Sequence, residues 1–443
     1  MNFMVKIKIK GHSILYLTLW VLFLSLTVPV FGQEPEEIIP PCFTESELAK
    51  VKEWEKTWVG KKVNSAMVDQ VKDFLPDTLV KMMKEPKKWG AKDLWFEVVP
   101  YRYSEPSKGF LEATKKYSPL SKFEPEGFKT SWGEVAPNEF LAGYLEGEIA
   151  GFPFPKPKTA LEMVWNYDSL TQGDNRTLAV SGTNVNPRTG SVRNAYQPQT
   201  YMYWTGRTDV PPLLKIEPNK KRIRQTLFMV ILKPADNYGN CFLDIWYCDP
   251  RKENDSYSWM AAYRRIRKLS TSQRGDSIDG NDQNFSDGWG YTDQKNRNTY
   301  KFLETRDMLA CRHQDPTALV SEEKAQAFFS GQQRERCKLH IVEAVNKEKG
   351  YVYSKEIWYL DGETWQMPYK VCWDRQGRPW RFFEANVGHS KSIQGNPVIF
   401  VVGYTFVDIQ RIHGCPNCFK DPQFGMELKT DMFTTQSLQR SGY

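Results

Sequence analysis

At positions 241–247 the chain reads Cys-Phe-Leu-Asp-Ile-Trp-Tyr, with apolar residues at the odd positions and an aspartate facing the other way. Such alternation places every second side chain on one face, which is typical of a half-buried β-strand. The segments Leu161–Tyr167 and Trp365–Trp373 alternate in the same way. Asp361-Gly362 and the stretch 374–377 are typical of hairpin turns. These patterns predict a sheet of mostly antiparallel strands.

Two runs are apolar on both faces, Leu227–Leu232 and Val398–Val402. A strand that is buried on both sides needs a layer against each face, so helices must cover at least part of the sheet. A strand predicted at Trp259–Leu269 carries basic residues on both faces near its end and should leave the core there. We therefore predict an α+β fold that is mainly β, with a large, strongly curved antiparallel sheet and N-terminal helices packed against or into its concave side.

The segment 43–158 is predicted to be helical and to end in a stiff connector. Thr44–Glu47 forms a capping box, and apolar residues follow it at helical spacing. A second helix is predicted from about Ser65, and a short amphipathic helix within 137–158. Pro153, Pro155 and Pro157 hold that stretch extended, which marks a boundary.

The first 32 residues have the order of a secretory signal peptide. Lys6, Lys8 and Lys10 form a basic region, an apolar run extends from Ile14 to Val30, and small or apolar residues precede Gln33. We expect export, no lipid tail, and no transmembrane segment after cleavage. A retained anchor is the alternative, because an apolar run of about 17 residues is at the lower limit for crossing a bilayer.

The composition is that of a folded protein with a large core. Of 443 residues, 40% are hydrophobic and 14% aromatic, which excludes a disordered chain. A net charge of +7 is a mild excess that demands no nucleic acid as partner. The eight cysteines make disulfides the default in an oxidising compartment. For Cys415-Pro-Asn-Cys418, a disulfide or free thiols are favoured over a redox or metal site, since no second such pair exists.

Catalytic signatures are missing from the chain, so no catalytic residue, cofactor or metal is predicted. There is no nucleophile elbow, zinc-protease motif or phosphate-binding loop. The densest acidic segment is 276–287, which does not fit a calcium-loop template. We interpret it as a solvated loop that pairs with the arginines between 264 and 274, and a bound cation is the alternative. A hydrolase that uses Asp276 or Asp279 is the enzymatic alternative.

Several motifs together resemble the bacterial exported proteins grouped as domain of unknown function 1329. The resemblance extends from about residue 55 to 412 and is carried by Ala150–Pro155, Leu161–Asn166, Arg264–Ser270, Tyr353–Lys355, Trp358–Asp361 and Trp365. It implies a fold like that of the periplasmic lipoprotein carrier LolA, an unclosed antiparallel β-barrel with helices plugging its hollow side. It also implies a Gram-negative periplasm and a role in moving lipid or hydrophobic compounds alongside inner-membrane exporters. Cys415 and Cys418 have no counterpart in the family pattern.

We therefore predict a non-enzymatic periplasmic carrier or chaperone that binds lipid, a lipoprotein acyl chain or another hydrophobic compound and passes it to an outer-membrane protein. The helices between Thr44 and Met83 would be its gate. The alternatives are a structural or glycan-binding envelope module and the hydrolase. The predicted cavity lining is Phe152, Phe154, Leu161, Met163, Trp165, Leu243, Ile245, Tyr247, Trp365, Met367 and Tyr369. The predicted divisions are a signal peptide at 1–32, the helical region and connector at 43–158, a β half-barrel at 159–412 and a cysteine-bearing tail at 413–443.

Overall fold

Strands outnumber helices in the computed structural model, which describes residues 39–442 except 171, 271–273, 279, 316, 318 and 320–324. The predicted signal peptide lies outside the described residues. The strands are β1 Lys62–Val63, β2 Phe96–Val98, β3 Phe128–Thr130, β4 Gly133–Val135, β5 Asn175–Asn186, β6 Ser191–Tyr203, β7 Thr205–Arg207, β8 Leu214–Lys215, β9 Ile223–Val230, β10 Cys241–Tyr247, β11 Asp255–Met260, β12 Arg265–Leu269, β13 Asn298–Ala310, β14 Gln332–Asn346, β15 Lys355–Asp361, β16 Tyr369–Trp373, β17 Pro379–Lys391, β18 Pro397–Asp408 and β19 His413–Phe424. The α-helices are α1 Glu45–Trp58, α2 Asp77–Lys84, α3 Lys108–Tyr117, α4 Ala160–Asp168 and α5 Thr435–Ser441.

Fifteen of these strands form one curved sheet. Its order is β1-β2-β14-β15-β16-β17-β18-β19-β5-β6-β9-β10-β11-β12, and β13 also pairs with β14. All neighbouring strands of this sheet pair antiparallel, except that β2 runs parallel to β14. Strands β13 to β19 follow one another as a meander, and β19 continues the sheet onto β5. Within the described residues β12 and β13 each pair with a single strand, so the sheet is unclosed. This confirms the predicted fold class.

The central strands carry an apolar layer on each face. On one face Met82 of α2 packs in a cluster with Phe382 of β17. On the other face Met163 of α4 packs in a cluster with Phe383. Because consecutive residues of a strand point to opposite faces, Phe382 and Phe383 enter different cores. We call the second face the α4 face. The helices α1 and α2, predicted to be a gate, pack on the face opposite to it.

Two local predictions are confirmed. The segment 241–247 is strand β10. The capping box at the start of α1 is formed, because the Thr44 side chain accepts a hydrogen bond from the Glu47 amide and the Glu47 carboxylate accepts one from the Thr44 amide.

The predicted strand at Leu161–Tyr167 is wrong, since these residues form helix α4. A capping box begins the helix: the Glu162 amide donates to Thr159 Oγ1 over 3.2 Å, and the Thr159 amide donates to Glu162 Oε2 over 3.1 Å. The segment is apolar nearly all round, so its alternation with period two did not distinguish a strand from a buried helix.

Other local predictions also differ from the structure. The segment 137–158 contains turns and no helix. The predicted strand Trp259–Leu269 is a hairpin, in which β11 and β12 are joined by a turn with Arg264 in the left-handed region. Trp365 and Met367 precede β16 in a loop, and the chain after Ser65 forms two short 3-10 turns before α2.

All eight cysteines are free thiols, contrary to the default expectation of disulfides. Cys415 and Cys418 lie in a regular stretch of β19 and are three residues apart, so their side chains point to opposite faces of the strand. Residues 39–442 belong to a single compact unit, and the predicted divisions at 158/159 and 412/413 fall inside it. Throughout the described part, no helix combines the length and apolarity needed to cross a membrane.

Candidate functional site

A cavity of about 320 Å³ lies on the α4 face, where β19, β5, β6, β9 and β10 run side by side. Every second residue of a strand contributes, because alternation brings those side chains to one face. The main contributions are Val180, Gly182 and Asn184 of β5, Arg193, Ala195, Gln197, Gln199 and Tyr201 of β6, Leu227 and Met229 of β9, Phe242, Asp244 and Trp246 of β10, and Cys415, Asn417 and Phe419 of β19. Thr183 of β5, Met260 of β11 and Tyr404 of β18 also border the cavity.

The lining includes both exposed and buried side chains. Arg193 and Phe285 are exposed. Tyr201, Tyr404 and Phe419 are buried. The wall is mixed, since Gln197, Gln199 and Asn417 face the same space as the apolar and aromatic side chains. The volume is at the lower end for sites that bind a small guest.

Ile278 and the residues 280–292 cover the cavity, and we call them the covering loop. Ile278, Gln283, Phe285, Gly288, Trp289 and Thr292 of this loop contribute to the lining. The Tyr404 hydroxyl donates to Gln283 Oε1 over 2.9 Å, and the Ile278 amide donates to the Gln283 carbonyl over 2.8 Å. The loop is therefore fixed both to the sheet and to itself.

A buried ion pair anchors the same loop to strand β16. Lys370 Nζ of β16 lies 2.6 Å from Asp287 Oδ1 and 3.3 Å from Glu356 Oε1. The Tyr353 hydroxyl donates to Asp287 Oδ2 over 2.7 Å. Although burial opposes its charge, the two carboxylates hold the pKa of Lys370 above its usual range. Asp287 is thus a structural residue and not part of a solvated loop.

The arginines before the acidic segment behave only partly as expected. Arg274 Nη1 lies 2.7 Å from Asp293 Oδ2, and Arg274 also pairs with Glu348. Arg265 and Arg267 are exposed in β12. Asp276 is exposed, and Asp279 lies outside the described residues.

Asp244 places an ionisable group in the cavity wall. Burial raises the pKa of its carboxyl to about 6, while a hydrogen bond to Ser256 on the neighbouring strand opposes the shift. Near neutral pH the wall therefore carries a poorly solvated negative charge, which is lost in mild acid.

Three metal-ligating side chains meet at one edge of the cavity. His413 Nδ1 lies 2.7 Å from Asp282 Oδ2, and Cys415 Sγ lies 3.6 Å from the same oxygen. The Asp282 amide donates to Cys415 Sγ over 3.2 Å. One ligand atom from each residue lies within 4.8 Å of the others. Burial and the nearby Asp282 carboxylate raise the pKa of the Cys415 thiol.

The residues predicted to line a cavity lie mostly in packed cores. Phe152, Met163, Trp365 and Met367 belong to the cluster beneath α4. Trp165, Leu161 and Phe154 pack together with the 123–149 segment. Tyr369 lies in the cluster on the opposite face. Phe152 also borders a separate cavity of about 60 Å³ with Phe110 and Val398. A lining role for these residues stays a prediction and would require the packed layers to open.

Strand β10 shows most clearly how the predicted lining differs from the observed lining. Leu243 and Ile245 pack with Leu438 of α5, while Phe242, Asp244 and Trp246 face the large cavity. Tyr247 is buried on the same side of the strand as Leu243. The more apolar side of β10 is therefore filled by α5, and the mixed side borders the open space. The aromatic rings of the predicted lining are buried, apart from Phe154, which is partly buried, so they do not form the exposed row that sugar stacking would need.

The functional residues that sequence analysis missed are those brought together by contacts between segments that are distant in the chain. Asp282 and His413 are 131 residues apart, and only the packing of the covering loop against β19 brings them together. The His-x-Cys spacing at 413–415 was the available signal, because residues two apart in a strand share a face.

Comparisons with known proteins agree with the motif-based resemblance. The family described as "Protein of unknown function (DUF1329)" matches residues 62–439. An uncharacterized protein of Pseudomonas aeruginosa is 26% identical over 261 residues, which are 55% of this chain and 54% of that protein, so the chain spans about half the length of this relative.

Two solved structures are similar over part of the chain. A DUF1329 family protein from Desulfovibrio piger is 13% identical with a TM-score of 0.46, covering 62% of this chain and 96% of that one. A LolA superfamily protein from Nitrosomonas europaea is 11% identical with a TM-score of 0.40, covering 63% of this chain and 100% of that one.

Proposed function

Because the chain belongs to the DUF1329 family, whose description assigns no activity, we propose a function from the cavity: the protein is a carrier for a lipid, an acyl chain or another hydrophobic compound. The observation that carries the proposal is the cavity of about 320 Å³, whose wall is built mainly from alternate residues of five neighbouring strands. Each methylene moved from water into such a wall is stabilised by about 0.8 kcal/mol, so affinity should increase with chain length until the space is filled.

The covering loop is the element that must move for a guest to enter fully. Trp289 and Phe285 of this loop form part of the wall, and the Gln283 contact to Tyr404 fixes its near end. The buried ion pair at Asp287 holds the middle of the loop in place. Movement is therefore expected of the Phe285 and Trp289 side chains, which lie on either side of that anchor.

Location and partners belong to the same proposal. The signal-peptide pattern at 1–32 supports export, and the proposed carrier would act in the periplasm between an inner-membrane exporter and an outer-membrane protein. The protein is proposed to be non-catalytic. The thiol, imidazole and carboxylate at the cavity edge are not arranged for nucleophilic attack, because the carboxylate lies between the other two groups.

A paired substitution on β6 tests the carrier function. Ala195 lines the cavity, whereas Asn194 is exposed and points to the opposite face. Ala195→Phe fills the space and should weaken binding of a fluorescent fatty-acid analogue at least tenfold, while Asn194→Phe should leave it within twofold of the parent.

Native mass spectrometry of the protein purified gently from its host gives the second readout. The parent and Asn194→Phe should carry an apolar adduct that Ala195→Phe lacks. A parent that binds no probe and carries no adduct, or two variants that bind equally, would count against a carrier.

A further inference from the structure

We propose that Asp282, His413 and Cys415 form a divalent metal site of the zinc type at the edge of the cavity. The inference rests on the geometry of these side chains and not on the carrier function. Two of the ligands come from β19, and the third comes from the covering loop, which reaches β19 from outside the sheet.

The strand presents its two ligands in a suitable way. His413 and Cys415 are two residues apart, so both project to the cavity face, and Cys415 is part of the cavity wall. The intervening Gly414 faces the other side, where a Cβ would lie only 2.2 Å from the Ala327 carbonyl oxygen. Ala327 therefore packs directly against β19 on the side opposite to the ligands, and this close packing fixes the direction of both ligand side chains.

The loop presents its carboxylate at the right distance. Asp282 Oδ2 lies 2.7 Å from His413 Nδ1 and 3.6 Å from Cys415 Sγ. Ligand atoms around a tetrahedral zinc ion are separated by about 3.3–3.7 Å, given bond lengths of about 2.0–2.3 Å. Shifts of well under an ångström in most contacts would accommodate the ion.

The set of donors selects the class of metal. A thiolate with an imidazole and a carboxylate suits Zn²⁺ and similar transition metals, whereas Mg²⁺ and Ca²⁺ prefer oxygen ligands alone. Binding replaces the thiol proton of Cys415, which leaves to solvent, with a metal–sulfur bond. Without the ion, the Asp282 carboxylate accepts hydrogen bonds from both the imidazole and the thiol.

Three protein ligands leave a fourth position. Asn184 Oδ1 lies 3.7 Å from Cys415 Sγ and also lines the cavity. The fourth ligand is therefore this amide oxygen or a group in the cavity. The ion would tie the covering loop to β19.

Cys418 provides a matched control, because it lies in the same strand and faces away from the cluster. The metal-stripped protein is titrated with Zn²⁺ against a chromogenic chelator and with Co²⁺ in an absorption spectrometer. One ion should bind per chain, with a sulfur-to-cobalt charge-transfer band in the near ultraviolet. Cys415→Ser should remove the band and weaken Zn²⁺ binding at least 100-fold. Cys418→Ser should leave the intensity of the band and the affinity for Zn²⁺ within twofold of the parent.

His413→Gln keeps the test decisive if Cys415→Ser fails to fold, since His413 is only partly buried at the start of β19. It should weaken Zn²⁺ binding at least tenfold while its urea midpoint in chelator equals that of the parent. Hydrogen exchange in residues 278–292 should slow on adding Zn²⁺ to the parent and to Cys418→Ser only. Absence of a stoichiometric ion in the parent, or an unchanged cobalt band in Cys415→Ser, would overturn the proposal.

Discussion

At the scale of single residues, the cavity wall combines apolar contacts with one carboxyl group whose charge is disfavoured. Asp244 has a pKa raised to about 6 by burial, against an ordinary value near 4. The folded state therefore retains a proton that the unfolded chain has already lost between these two values. The contribution of this carboxyl group to the free energy of unfolding therefore falls as pH rises from about 4 to about 6 and stays low above that range.

Asp244→Asn should accordingly raise the urea midpoint at pH 7.5 and leave it unchanged below pH 4. Asp255 on the next strand is the matched control with the opposite sign. Although burial opposes its charge, Lys268 at 2.7 Å and the Tyr247 hydroxyl at 2.8 Å lower the pKa of Asp255. Asp255→Asn should therefore lower the midpoint at pH 7.5. Equal shifts in both variants would contradict the assignment.

A second residue-scale prediction concerns Asp287, which sequence analysis placed in a solvated loop. Removal of one partner from a buried ion pair leaves a desolvated charge, at a cost of about 3–5 kcal/mol. Asp287→Asn should lose about that much in urea unfolding, because Lys370 is fully buried beside it. Asp236 pairs with Arg193 at 2.9 Å on the surface, and Asp236→Asn should have little effect. A small loss in both variants would show that Glu356, 3.3 Å from Lys370 Nζ, is a sufficient counter-charge by itself.

At the scale of elements, helix α4 carries two competing sequence signals: an alternation with period two, which favours a strand, and a capping box, which favours a helix. Thr159→Ala removes the side chain that caps the helix and should cost about 1 kcal/mol in unfolding free energy. Thr159→Ser keeps an oxygen in the same place and should restore most of that loss. If serine and alanine are equally destabilising, the methyl group rather than the cap stabilises the helix.

The same helix shows how much of the fold was predictable. Strand β10 and the α1 cap were found because a period of two and a four-residue capping box are local patterns. Helix α4 was missed because tight burial makes its sequence apolar on all sides, although the Thr159–Glu162 box was present. The cavity could not be placed from sequence, since which side of β10 is filled depends on α5, almost 200 residues later.

At the scale of the whole molecule, the unclosed sheet leaves edge strands that must not pair with other chains, and β12 and β13 are the longest of these in the described residues. The β13 edge exposes Phe302 and Leu303, and a bulge between Phe302 and Glu304 interrupts its regular pairing. The β12 edge is protected by charge, because residues 265–268 include three exposed basic side chains. An exposed basic edge strand repels a second copy of itself.

The double variant Arg265→Val and Arg267→Val removes two of these charges and raises the β-propensity of the edge. It should therefore self-associate, seen as a larger mass in light scattering as the protein concentration rises. Arg188→Val with Arg375→Val removes the same net charge from exposed turns and should stay at the parent's mass. Because both variants lose two positive charges, association of both would point to net charge, whereas association of the first alone would identify β12 as the edge that keeps an unclosed sheet from extending.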